Sequence, residues 1–324
     1  MAQCWANRSV DHVPAFVAQH AAEVKHLVCY LPVEFLTVRS ETQLPGLMLV
    51  PVTDSRVPSA KPWFALEKPT GCVAVVQVEG TSYGQMANRA RHRANHVLRC
   101  LRIALGAQVH DRQLRFRLGI GYSFDERLTG WNRRDDEAYD IALAEDISDL
   151  RSHPVMAVPD SPRNDVERKA ALAMAWMERA YMTGDELVAV LYRFFALEAL
   201  LGDKSEGLKA HGLALREMML SQIITGGFRH PNETFFFYDQ VRSAAVHGEE
   251  APAVAVRDAA DFEWAVRDAL SNYLELASGR NITRRGKLQL LDSHPDRPKL
   301  IVWLRKRGGP VWTGYLDKLE GTPC

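Results

Sequence analysis

From residue 163 to residue 277 the apolar side chains recur every three or four positions, and that rhythm is the strongest constraint in the chain. Val166, Ala170, Ala173, Met177 and Tyr181 follow it, as do Leu187, Leu191, Phe194 and Leu201, and later Phe262, Val266, Ala269, Tyr273 and Ala277. A period near 3.6 places such residues on one face of a helix. Gly or Pro separates the segments, so the spacing predicts helices over 163–182, 185–201, 206–223, 232–247 and 254–277. Five such helices can bury a bundle core.

The chain before Pro154 reads differently. Segments 27–38, 46–52, 72–79 and 113–120 are short, β-rich and bounded by Pro or Gly, which predicts strands. A helix is expected over 84–105, stopping at Gly106, and another over 135–150, which opens on Asp135, Asp136 and Glu137. The stretch 154–162 punctuates the chain. After 280 the text turns basic and strand-like, with Leu300–Leu304 and Val311–Tyr315 flanking a turn at 308–310. The expected fold class is therefore α+β. It comprises a mixed amino-terminal domain (1–158), a helical domain (163–280) and a short β-like basic extension (281–324).

Composition narrows the partners. Lys plus Arg and Asp plus Glu number 40 each, so a histone-like polycation is excluded and any nucleic-acid contact must be local. Apolar runs are far too short for a membrane helix, and the first residues carry no signal-peptide pattern. The five cysteines are odd in number and widely spaced, with no CxxC. A reducing, cytoplasmic setting without zinc or disulfides is expected.

One segment stands out for chemistry: Tyr238-Asp239-Gln240-Val241-Arg242-Ser243-Ala244-Ala245-Val246-His247-Gly248. Arg242 and His247 are five residues apart near the end of a predicted helix. Five residues turn a regular helix by about 140° net, so the two converge only if the helix breaks between them. Gly248 supplies a stop just after His247, placing the imidazole at a helix C-terminus, where it is suited to acid–base work. Arg242 offers a planar fork for a phosphate. The plainer reading is a helix-capping surface histidine and an ion-paired arginine. Glu198 lies in an apolar helix and needs a partner. Arg242 is one candidate, with Arg193 or Arg216 as the others.

Taken with Phe194-Phe195-Ala196-Leu197-Glu198-Ala199-Leu200-Leu201, this segment resembles the HEPN superfamily (higher eukaryotes and prokaryotes nucleotide-binding), most closely its Apea-like branch. The resemblance covers about residues 184–277. It implies a helical domain that dimerises and cleaves RNA without a metal or other cofactor, with Arg242 and His247 catalytic and Ser243, Glu198 and Tyr238 supporting them. It also implies RNA-targeting antiphage defence or a toxin-like response, with a phage or host trigger acting on the first domain. The chemistry agrees with a dimer. Attack by an RNA 2′-OH on its own phosphate needs a base and an acid, and one motif histidine per chain cannot easily be both. A non-catalytic module for dimerisation and RNA or nucleotide binding is the alternative.

Two basic stretches complete the candidates. Residues 84–117 hold eight arginines, Arg89, Arg91 and Arg93 among them, against one acid. They either follow an RNA backbone or match the acidic stretch 123–150 within the chain. Residues 280–307 carry nine basic side chains against two acids, and Trp303, Arg305, Lys306 and Arg307 either contact single-stranded RNA or protect an edge hairpin. His92 and His96 have metal-ligand spacing but no third ligand, so they read as a solvated face.

Overall fold

The computed structural model describes residues 25–33, 36, 38–51, 53–57, 72–80, 83–106, 120–124, 127–132, 151–202, 210–228, 230–247, 254–278 and 283–320. The chain divides into two compact units. One comprises residues 1–99 and 114–152, the other 100–113 and 153–324.

The first unit is built on a sheet. Its strands are β1 (Lys25–Val33), β2 (Thr42–Leu44), β3 (Leu47–Pro51), β4 (Cys72–Gly80), β5 (Ile120–Phe124) and β6 (Arg127–Asn132). They lie in the order β2-β3-β4-β1-β5-β6, and every neighbouring pair is antiparallel. β4 runs between β1 and β3, and its residues Cys72–Val76 are buried on both faces. Val50, Val73, Val75 and Val57 form a core on one face, joined by Val28, Tyr30 and Met48. The expected strands at 27–38, 46–52 and 72–79 correspond to β1, β3 and β4. The β2–β3 hairpin turns at Gly46, whose φ of +83° requires glycine. The strand expected at 113–120 lies outside the described residues except for Ile120, where β5 begins. The expected helix 135–150 also lies outside them.

Helix α1 (Tyr83–Leu105) buries Met86, Ala90, Ala94, Val97, Leu98 and Leu101 at helical spacing. Beyond Val75, β4 has no β3 partner, and there α1 supplies side chains instead. Arg89 donates to the Glu79 carbonyl at 3.2 Å and Arg93 to the Gln77 carbonyl at 3.3 Å. The helix ends at Gly106, whose positive φ of +58° is the left-handed stop.

The second unit is helical. It contains α2 (Asp165–Met182), α3 (Glu186–Leu201), α4 (Ala210–Thr225), α5 (Asn232–Phe236), a π segment (Phe237–Arg242), α6 (Ser243–His247), α7 (Val256–Ala277), α8 (Arg284–Asp292), α9 (Arg297–Arg307) and α10 (Pro310–Glu320). Asn164 caps α2 by accepting from the Glu167 N–H at 2.9 Å, and Asp185 caps α3 by accepting from Val188 at 3.0 Å. α3 is central, packing against α2, α4, α7 and the π segment. Its Arg193 is paired with Glu263 of α7 at 2.6 Å, and Tyr181 of α2 donates to the same carboxylate at 3.1 Å. Arg267 of α7 donates to the last carbonyls of α1, Ile103 at 2.8 Å and Ala104 at 2.6 Å. A Cβ on Gly106 would meet that guanidinium at 1.7 Å, so the position needs glycine twice over.

The expected β-like tail is not formed; residues 284–320 are three helices. The predicted turn at 308–310 is present, but it joins helices. Leu300 and Leu304, and likewise Trp312 and Leu316, are buried four residues apart, and Pro310 occupies the first position of α10, where its missing N–H costs nothing. The tail is fastened to the helical unit. Arg216 of α4 holds Asp292 through two bonds, 2.9 and 2.6 Å, and also donates to the Leu201 carbonyl at 3.1 Å. Lys287 is fully buried, donating to the Tyr273 carbonyl at 2.9 Å with its ammonium 3.9 Å from that ring's centre. Arg216 is thus a buried joint between α4 and the tail.

Candidate functional site

The expected helix 232–247 forms, but with a π segment inside it. The Ser243 N–H bonds to the Tyr238 carbonyl, five residues back, so the turn is one residue wider than an α-turn. Two apolar residues four apart, Phe237 and Val241, fix this segment to the core. Phe237 stacks on Phe262 of α7 at 4.6 Å, and Phe262 stacks on Phe194 of α3 at 5.8 Å. The next residues along, Tyr238 and Arg242, face α3 and are half-buried. Phe194 meets the Tyr238 ring edge-on at 5.1 Å.

Arg242 lies between two groups. Its guanidinium is 5.2 Å from the Tyr238 ring centre, and its Nη2 is 3.5 Å from Glu198 Oε1. The arginine side chain is 21% exposed and the glutamate 14%, so both are partly withdrawn from water yet reachable. The contact is a charge pair without a hydrogen bond. Glu198 Oε1 and Arg242 Nε are buried atoms with no hydrogen-bond partner among the described residues. Burial pushes the Glu198 carboxyl above its ordinary range, and Arg242 opposes that rise. Burial also raises the Tyr238 hydroxyl, again against the pull of Arg242. The three partners weighed for Glu198 are now separated: Arg193 pairs with Glu263, Arg216 with Asp292, and Arg242 with Glu198.

His247 is exposed and is the last residue of α6. Gly248 lies outside the described residues. The helix does not break between Arg242 and His247. Five helical steps separate them, so the two side chains leave the helix about 140° apart. One chain therefore turns Arg242 inward to Glu198 and His247 outward to solvent. Half-buried Ser243 follows Arg242 directly.

Among the described residues, Arg89, Arg93 and Arg305 of the two basic stretches are engaged within their own units. Arg89 and Arg93 serve β4, and the Arg93 stem lies over Gly46, where a Cβ would come within 2.8 Å. Arg91 is half-buried. The acidic partner stretch proposed for them lies mostly outside the described residues. In the tail, Arg305 is paired with Asp317 at 2.9 Å, and Trp303 packs on Phe228 at 4.8 Å and His230 at 5.3 Å. Lys306 and Arg307 are exposed. His92 is exposed and His96 half-buried, and among the described residues no three His, Cys, Asp or Glu side chains group as metal ligands. Cys29, Cys72 and Cys100 are buried, and burial pushes the Cys29 thiol up to about 11. Cys4 and Cys324 lie outside the described residues. Among the described residues no helix is long and apolar enough to cross a membrane.

What the sequence reading missed is the support around the site. Phe194, Phe237 and Phe262 form its floor, and tail residues reach the start of its helix. The aromatic run Phe235–Tyr238 carried the first signal; the four-residue spacing within the tail carried the second. The chain matches no protein-family model, no curated protein and no solved structure.

Proposed function

We propose that the protein is a HEPN-type endoribonuclease that cleaves RNA by 2′-OH transesterification, acting as a homodimer through its helical unit. The observation that carries this reading is Arg242, held half-exposed between Glu198 and Tyr238 on the same helix that ends in an exposed His247. In this scheme Arg242 neutralises the phosphate as charge builds on it. His247 of one copy takes the 2′-OH proton, the 2′-oxygen bonds to phosphorus, and the 5′-oxygen leaves with a proton from His247 of the other copy. The outward projection of His247 supports a cleft shared by two chains. Glu198 orients the guanidinium and tempers its charge. By resemblance, the role is antiphage defence or a toxin-like response, with the first unit receiving the trigger.

The same pairing supports a second reading. An Arg242 already matched by Glu198 also suits a module that holds RNA without cutting it. One experiment separates the two: purified protein, total RNA and EDTA. Cleavage leaving 2′,3′-cyclic phosphate and 5′-hydroxyl ends, lost in Arg242→Ala and His247→Ala, is the expected result. Replacement of the scissile 2′-OH by hydrogen should stop cleavage and spare binding. Binding without cleavage favours the module, and 3′-hydroxyl ends refute the mechanism.

A further inference from the structure

The helices after residue 283 reach the motif helix at its first turn. Trp312 of α10, completely buried, donates its indole N–H to the Asn232 side-chain oxygen at 2.6 Å. The Asn232 amide donates back to the Gly308 carbonyl at 3.5 Å, and the His230 ring lies 3.3 Å from the Arg307 carbonyl. His211 of α4 closes the cluster. Its ring is 4.4 Å from Phe235 and stacks on Tyr315 at 4.5 Å, with Nε2 3.0 Å from the Val311 carbonyl. Gly308 admits the indole: a Cβ there would come within 2.7 Å of Trp312.

A helix bound mainly by apolar packing can still slip. One residue of slip is a rise of about 1.5 Å and a turn of about 100°. At the far end of this helix, Phe237 and Val241 pack without direction, and the Arg242–Glu198 contact lacks a hydrogen bond. Near the start the contacts are directional: Trp312 to Asn232, and Thr234 to buried Glu217 at 2.8 Å. Between the two ends lies the π segment, a wider turn that rarely persists where the chain is free to relax to an α-helix. We propose that the α9–α10 hairpin is the positioning device of the candidate site: by gripping the first turn of the motif helix it sets the register from which the π segment carries Arg242 to Glu198. Asn232 and Trp312 are positioning residues and touch no substrate. The catalytic consequence rests on the nuclease reading; the anchoring itself does not.

The test uses the full-length protein with Trp312→Phe, Asn232→Leu and Asn232→Asp, the last of which keeps an oxygen acceptor for the indole. Asn232 is exposed, so its variants keep the test open should Trp312→Phe fail to fold. Hydrogen exchange across 237–247 should quicken in Trp312→Phe and Asn232→Leu and stay near wild type in Asn232→Asp. In the first two, kcat for RNA cleavage should fall about tenfold with KM unchanged, as for a misplaced catalytic group; Asn232→Asp should restore it. Unchanged exchange in both disruptive variants overturns the proposal whatever the RNA assay gives, and so does quickened exchange with wild-type kcat. A wild-type protein that cuts no RNA refutes the nuclease reading, and the exchange measurement then decides the anchoring alone.

Discussion

Lys287 is the residue whose placement has the clearest thermodynamic consequence. Its ammonium is enclosed against Tyr273 with one carbonyl as acceptor among the described residues, and burial pushes its pKa from the usual 10.5 down to about 7. The unfolded chain therefore binds this proton at pH values where the folded chain has released it. Stability from this group is full above about pH 10.5 and declines as pH falls toward about 7, below which the buried charge opposes folding fully. Lys287→Met should flatten that slope. Its melting temperature should exceed wild type by most below pH 7, and the gap should narrow toward pH 10. A constant gap across that range would refute the assignment.

Among the elements, α3 and α7 are joined by one buried ion pair. Arg193 and Glu263 are both nearly inaccessible, and Tyr181 shares the carboxylate. Removing one partner leaves the other charged and unmatched, so Arg193→Met should cost about 3–5 kcal/mol in denaturant unfolding, while Arg193→Met with Glu263→Met should regain much of it. A double variant no more stable than the single would refute this pairing as the cause. These helices were legible because their apolar periods run over four or five turns each. α9 was not: Leu300-Ile301-Val302-Trp303-Leu304 is a β-branched and aromatic run, and local propensity points to strand. Burial of Leu300 and Leu304 against the rest of the unit decides for helix. The candidate site was legible as residue types in order. Glu198 and Arg242 do meet, but the π segment had no signal, because it arises from contacts at both ends of the helix and not from its own composition.

At the scale of the whole molecule, a dimer with one His247 per chain in a shared cleft predicts interference between copies. Adding an excess of His247→Ala protein should suppress wild-type RNA cleavage beyond simple dilution, since each mixed dimer loses one of two proton carriers. Activity that tracks the wild-type amount alone would refute the shared cleft. The anchoring of the motif helix by residues that follow it in the chain has a further consequence, in time. During synthesis Arg242 and His247 leave the ribosome before Trp312 does, and a domain folds as a unit once its chain is available. On the proposed nuclease reading, a partly made chain thus holds the motif before the indole that the proposal makes its anchor, and cleavage of surrounding RNA, the ribosome's own included, is expected only once α10 has been made.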